Sequence, residues 1–152
     1  MISKKKFSPL EKCIIHLTAK LEGGLTRTKL IKLLFLADLH YFKKHQSSIT
    51  GVRYRSYFYG PYSEEIMKAV NRLNGFEIEE YSGSSSEGRG YYIYTLGKNP
   101  RNLKINLRPE EKKTLDFVIK DFGDIPLPKL LEYVYSTEAF RECRKGGLID
   151  LN

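Results

Sequence analysis

Apolar positions recur at helical spacing near the start of the chain. Leu10, Cys13, Ile14, Leu17 and Leu21 share one face, the pattern of a helix with a single buried side. Ser8-Pro9-Leu10-Glu11 supplies its start. The serine caps, proline loses nothing at the first helical position, and the glutamate completes a capping box. Gly23-Gly24 ends it, because glycine takes the left-handed closing conformation without a Cβ clash. The next segment differs in kind. Behind the cap Thr26, apolar residues from Leu30 to Phe42 wrap nearly the whole circumference. A helix hydrophobic all round belongs at the centre of a fold, and Lys43-Lys44 suit its negative end.

After a loop at 47–51, Val52 to Tyr59 is rich in aromatics and poor in helix formers, which predicts a strand terminated by Gly60-Pro61. Ser63, with Glu64 and Glu65 in the first turn, opens a third helix to about Leu73. Phe76 to Glu79 and Tyr91 to Leu96 alternate on either side of a Gly/Ser stretch at 82–90, a hairpin with a mobile tip. Pro109 starts a fourth helix, with Leu115, Val118, Ile119 and Phe122 inward and Gly123 closing it. Pro126 or Pro128 begins a fifth that carries Leu130, Leu131, Val134 and Tyr135. From Phe140 to Leu151 the pattern assigns no element. The fold class expected is α+β and mainly α-helical: about five helices packed around a central apolar helix, with one small antiparallel sheet or hairpin. A length of 152 residues suits a single domain over 1–152, with 1–7 as a basic tail.

Composition narrows the classes. Hydrophobic residues make up 41% and charged residues 29%, the balance of a soluble globular chain. No uncharged run approaches the ~18 residues of a spanning helix, so no membrane role is expected. The basic start runs into Ser8, Pro9 and Glu11 instead of an apolar signal core, which argues against export. Cys13 and Cys143 stand far apart with no CxxC partner, as in a reducing cytoplasm. The net charge of +8 is uneven. Residues 1–50 hold ten Lys/Arg against three Asp/Glu, beginning at Lys4, Lys5 and Lys6. Such a run is a solvated tail or a binding arm.

Catalytic signatures are missing from the sequence. Cys13 and His16 stand three apart, but no cluster supplies two further metal ligands, so Cys13 reads as a small core residue and His16 as a partly exposed one. There is no G-x-S-x-G elbow, no phosphate loop and no dinucleotide fingerprint. No cofactor is expected, and an enzyme is the least supported class.

Two features stand out. Asp38 interrupts the apolar run of the central helix. A buried carboxylate without a partner is costly, so it should meet a donor or cation: Arg53, Arg55 and the nearby tyrosines are the candidates. Its role is then a fold-locking contact or a direct part in binding. The second feature is the ribbon Arg53 to Tyr62. In a strand, Arg53, Arg55, Tyr57 and Tyr59 share one face, and Val52, Tyr54, Ser56 and Phe58 the other. Arginine and tyrosine are enriched at binding hot spots, and the same chemistry suits single-stranded nucleic acid. The plain alternative is an aromatic core strand.

Three ordered motifs carry a resemblance. Lys29 to Asp38 (KLIKLLFLAD), Ile49 to Tyr54 (ITGVRY) and Tyr59-Gly60-Pro61-Tyr62-Ser63 resemble the SocA-like (Panacea) antitoxin domain, whose pattern is a KLLYLAD helix, an ITG-x-x-Y step and a YGP turn. The likeness is close over about residues 10–75. It implies a helical domain with a small β element, and a non-catalytic antitoxin that neutralises a partner toxin or delivers it to a protease. Asp38, Gly51, Tyr54, Tyr59, Gly60 and Pro61 occupy the motif positions, and Phe35 and Tyr62 are variants within it. Their residue types fit structural work. Partner contact is expected through Arg53, Arg55, Tyr57 and Tyr59. The competing expectation is a winged-helix regulator binding nucleic acid, with Arg89 at the wing tip. Against it, the third helix carries Glu64, Glu65, Lys68 and Arg72, a poor major-groove reader.

Overall fold

The computed structural model describes residues 5–88, 90–102 and 104–152; Lys4 of the basic start and Arg89 of the expected wing tip lie outside them. The first helix, α1 (Pro9–Lys20), begins as the sequence predicts. Ser8 Oγ accepts from Glu11 N at 3.1 Å, and Glu11 Oε1 accepts from Ser8 N at 2.8 Å. Helix α2 (Arg27–His45) starts behind the Thr26 cap. Leu30, Leu33, Leu34, Phe35 and Leu36 are fully buried along it. It packs against α1, α4 (Pro109–Phe122), α5 (Leu127–Ser136) and strands of both sheets. The apolar circumference of α2 thus makes it the central post of a mainly helical α+β fold.

Its surroundings hold more β-structure than the pattern suggests. Besides α2 and the hairpin, the chain forms β1 (Leu25–Thr26), β2 (Arg55–Tyr57), β3 (Gly60–Tyr62), α3 (Glu64–Leu73), β4 (Ile78–Ser84), β5 (Gly90–Leu96) and α6 (Glu138–Arg141). Two sheets replace the single one expected: a three-stranded sheet in the order β1-β5-β4, and the pair β2-β3. The two-residue β1 is too short to leave a periodic signal; it pairs Leu25 with Tyr94 and Thr26 with Ile93. The sixth helix falls partly in the segment the sequence leaves unassigned.

The β4–β5 hairpin runs further into the Gly/Ser stretch than expected, since Ser82, Gly83 and Ser84 pair with Tyr92, Tyr91 and Gly90. The Tyr91 ring explains how. A Cβ placed on Gly83 would lie 2.7 Å from that ring, so the aromatic side chain covers the glycine opposite it and the ladder continues. At the other end Phe76 and Glu77 precede the strand. Glu77 is instead buried as the acceptor for Arg101, whose Nη2 lies 2.7 Å from Oε1. Burial pushes the Glu77 carboxyl up, but the Arg101 hydrogen bonds outweigh it and hold it below the usual carboxylate value.

His16 corrects the expectation of partial exposure. It is 9% exposed, and its Nε2 lies 2.8 Å from Asp116 Oδ1 on α4, which ties α1 to α4. Cys13 is fully buried.

Asp38 is 0% exposed and fully satisfied. Its Oδ1 accepts from the backbone N–H groups of Ile49 (2.9 Å) and Thr50 (3.0 Å). Its Oδ2 accepts from Thr50 Oγ1 (2.6 Å) and the Tyr54 hydroxyl (2.7 Å). Tyr54 is therefore the partner and the arginines are not. Alternation puts 54 inward and 53 and 55 outward, so no guanidinium reaches the carboxylate. Burial raises the Asp38 carboxyl above its ordinary value, against the opposing pull of these hydrogen bonds.

Replacing Asp38 by alanine strands the Tyr54 hydroxyl and two buried or half-buried N–H groups, each costing about 1–3 kcal/mol when unsatisfied. The expected loss is about 3 kcal/mol or more, read by urea unfolding. A loss below about 1 kcal/mol would show that the carboxylate does not lock the loop.

Candidate functional site: an arginine–tyrosine hairpin

The ribbon at 52–62 grows out of the Asp38 anchor. Gly51, at φ +74°, turns the chain after Thr50. Val52, Tyr54 and Ser56 then point inward, with the Tyr54 ring edge-on to Phe35 at 5.3 Å. Arg53, Arg55 and Tyr57 point outward. The expected single strand to Tyr59 is instead a strand and a reversal. Strand β2 ends at Tyr57, Phe58 and Tyr59 form the turn, and Gly60-Pro61-Tyr62 returns as β3, pairing Arg55 with Tyr62 and Tyr57 with Gly60. Gly60 permits this at φ +104°, a conformation that resists any side chain. Tyr59 consequently sits at the tip and not on the strand face. Phe58, expected inward, is released by the same turn.

The result is an exposed aromatic ridge. Tyr57 is 44%, Phe58 72% and Tyr59 70% exposed. Phe58 and Tyr59 meet edge to face at 5.1 Å, and Tyr57 leans on Tyr62 at 5.4 Å. Arg53, Arg55, Tyr57 and Tyr59 therefore all reach solvent on one hairpin, which excludes the core-strand alternative for that face.

Two further contributors were not anticipated from the sequence. One is the segment 145–149, which lies against the outer edge of β2. Ser56 N donates to Gly147 O (2.9 Å), Gly146 N to Ser56 O (2.6 Å) and Ile149 N to Tyr54 O (2.8 Å). Arg55 Nη1 donates to Gly146 O at 3.2 Å, and the Lys145 ammonium lies 4.9 Å from the Phe58 ring centroid. Adjacent glycines beside isolated Leu148 and Ile149 leave no alternation to read. The segment gives the ridge a second wall, so two clefts flank it. One of about 200 Å³ includes Arg53, Arg55, Tyr62, Glu65 and Leu148. The other, of about 360 Å³, includes Phe58, Tyr135, Phe140, Arg141 and Lys145. Tyr57 borders both.

The other contributor is Lys32. It lies within the apolar run of α2, is 3% exposed, and donates from Nζ to Pro61 O at 3.1 Å. A Cβ on Gly60 would stand 3.0 Å from Lys32 Cε and 3.4 Å from the Tyr135 ring. The lysine stem thus runs under the turn, and its head holds the carbonyl of the Gly-Pro step. A cation flanked on both sides by apolar residues was the available signal. Burial lowers the Lys32 ammonium to about 8 from an ordinary 10.5.

Among the described residues no group of three or more His, Cys, Asp or Glu is placed to hold a metal. No helix among them is long and apolar enough to cross a membrane. The expected groove-reading helix α3 exposes Glu64, Glu65, Lys68 and Arg72, and Arg72 is engaged with Glu11 at 3.3 Å.

Between about pH 8 and 10.5 the unfolded chain keeps a proton at Lys32 that the folded protein has shed, so this group makes stability rise with pH across that window. The expected gain relative to Lys32→Met is about 2 kcal/mol, measured by urea unfolding at pH 7 and pH 9.5. Parallel profiles for the two proteins would show that Lys32 titrates as an exposed lysine.

The family model described as antitoxin SocA-like, Panacea domain, matches residues 30–140. That span leaves out α1, covers the ribbon, and runs past residue 75 through α4 and α5 to Phe140. No curated protein matches the chain. The central helix from Leu30 onward with its buried Asp38, the ITG-x-x-Y step and the YGP turn lie within the matched span, and the chain belongs to the antitoxin SocA-like, Panacea domain family.

Proposed function

We propose that this chain is a non-catalytic protein-binding module that captures a partner toxin, masking it or delivering it to a protease. Contact runs through Arg53, Arg55, Tyr57 and Tyr59. The family ties the chain to toxin–antitoxin systems. One observation carries the rest: the aromatic ridge is held out in water on a base fixed by Asp38 and Lys32. Exposed aromatic clusters rimmed by polar groups mark interaction sites. A rigid base lets the ridge bind without ordering a loop first, which lowers the entropic penalty of association. Phe58 joins the contact set.

The test is co-expression with the product of the neighbouring reading frame, followed by co-purification. The double variant Arg55→Ala/Tyr57→Ala should lose the partner while its thermal midpoint stays within about 2 °C of the parent, since both side chains are exposed. A collapse in stability would mean that these side chains hold the fold, and capture unaffected by the substitutions would remove the site.

A further inference from the structure

We infer that the ridge docks an acidic protein segment, one that presents carboxylates on both sides of an apolar or aromatic centre. The inference rests on reading the ridge as a docking surface and adds the chemistry of what docks.

The first observation is how the arginines are used. Where arginine serves the fold it has a carboxylate: Arg27 with Glu80 at 2.8 Å, Arg72 with Glu11 at 3.3 Å and Arg101 with Glu77 at 2.7 Å. Beside the ridge that pattern stops. Arg53, Arg55, Arg141 and Lys145 form no ion pair with any described residue. The acids that line the first cleft do not pair with its arginines. Glu64 and Glu65 occupy the first turn of α3, where negative charge complements the helix terminus. Glu65 also accepts from the backbone of Arg53 at 3.4 Å, not from its guanidinium. Arg55 spends one N–H on Gly146 O, and guanidinium groups without a carboxylate partner are suited to bidentate carboxylate recognition.

The second observation is placement. One pair of cations, Arg53 and Arg55, lines the cleft on one side of Tyr57, and the other pair, Arg141 and Lys145, lines the cleft on the other. Tyr57 stands between them, and the exposed rings of Phe58 and Tyr59 continue from it at the turn, offering apolar area for the centre of a partner patch. A phosphate backbone fits less well. It carries one uniform charge, and Glu64 and Glu65 on the first cleft repel it, whereas a protein segment can place its carboxylates where the guanidinium groups are.

The experiment uses the full chain and fluorescence anisotropy with three labelled probes. These are a peptide with a Phe-Leu centre flanked by glutamates on both sides, the same peptide with lysines for the glutamates, and a single-stranded oligo-dT. The acidic peptide should bind at least tenfold more tightly than either other probe and weaken as salt rises. Arg55→Glu and Arg141→Glu should each reduce its affinity at least tenfold with an unchanged thermal midpoint. Equal affinity for the two peptides, tighter binding of oligo-dT, or a response to only one charge reversal overturns the inference. Its failure separates from that of the docking surface through the co-expressed partner. Capture lost in Tyr59→Ala but kept in Arg55→Glu and Arg141→Glu sinks the acidic docking and leaves the surface standing. Capture kept in all three sinks both.

Discussion

A carboxylate sealed inside a helix of leucines sets the geometry of everything around the ribbon. Asp38 has no solvent and no cation; it has two backbone N–H groups and two hydroxyls, all delivered by residues 49–54. Those donors can converge only if the chain leaves α2, loops back and enters the ribbon along one path. A Leu in place of Asp38 would suit the helix and lose the path. Asp38 thus specifies the path of the chain as well as adding stability. Register follows at once. With Tyr54 pinned inward, residues 53, 55 and 57 must face out.

A second anchor acts at the far end of the same hairpin. Lys32 sits six residues before Asp38 on α2 and grips the Pro61 carbonyl. One helix therefore holds both the entry and the exit of the hairpin, and only the turn Phe58-Tyr59 escapes it. Rigid base and solvated tip are consequences of one spacing on one helix. The exposure of the two aromatic rings at that tip, and of Tyr57 beside them on β2, is then a feature of the fold and not of loose packing.

How much of this was legible follows the physical origin of each signal. Helices with long apolar faces and strong ends, such as α1 with its Ser8–Glu11 box, can be read because their stabilisation is local. The outward face of Arg53, Arg55 and Tyr57 is legible from period-two alternation alone. What alternation could not supply was its own end point. Gly60 reads as a terminator, yet it reverses the chain, and this moved Phe58 and Tyr59 from opposite strand faces to a shared tip. Asp38 announces itself as anomalous, and one of the expected tyrosines, Tyr54, does meet it. But two of its partners are backbone N–H groups that carry no side-chain signature, and the arginines favoured by charge complementarity do not reach it. Strand β1 and the segment 145–149 exist only through long-range pairing. Nothing near them in the chain records it.

That last segment lies beyond the shared domain. The span matched by the family ends at Phe140, whereas Lys145, Leu148 and the backbone of 146–149 form one wall beside the ridge. Most of the wall's side chains touch solvent, and its main tie to the scaffold is a backbone ladder indifferent to side-chain identity. The side chains of Lys145 and Leu148 can accordingly vary outside the matched span while the ladder and the buried Ile149 keep the wall in place.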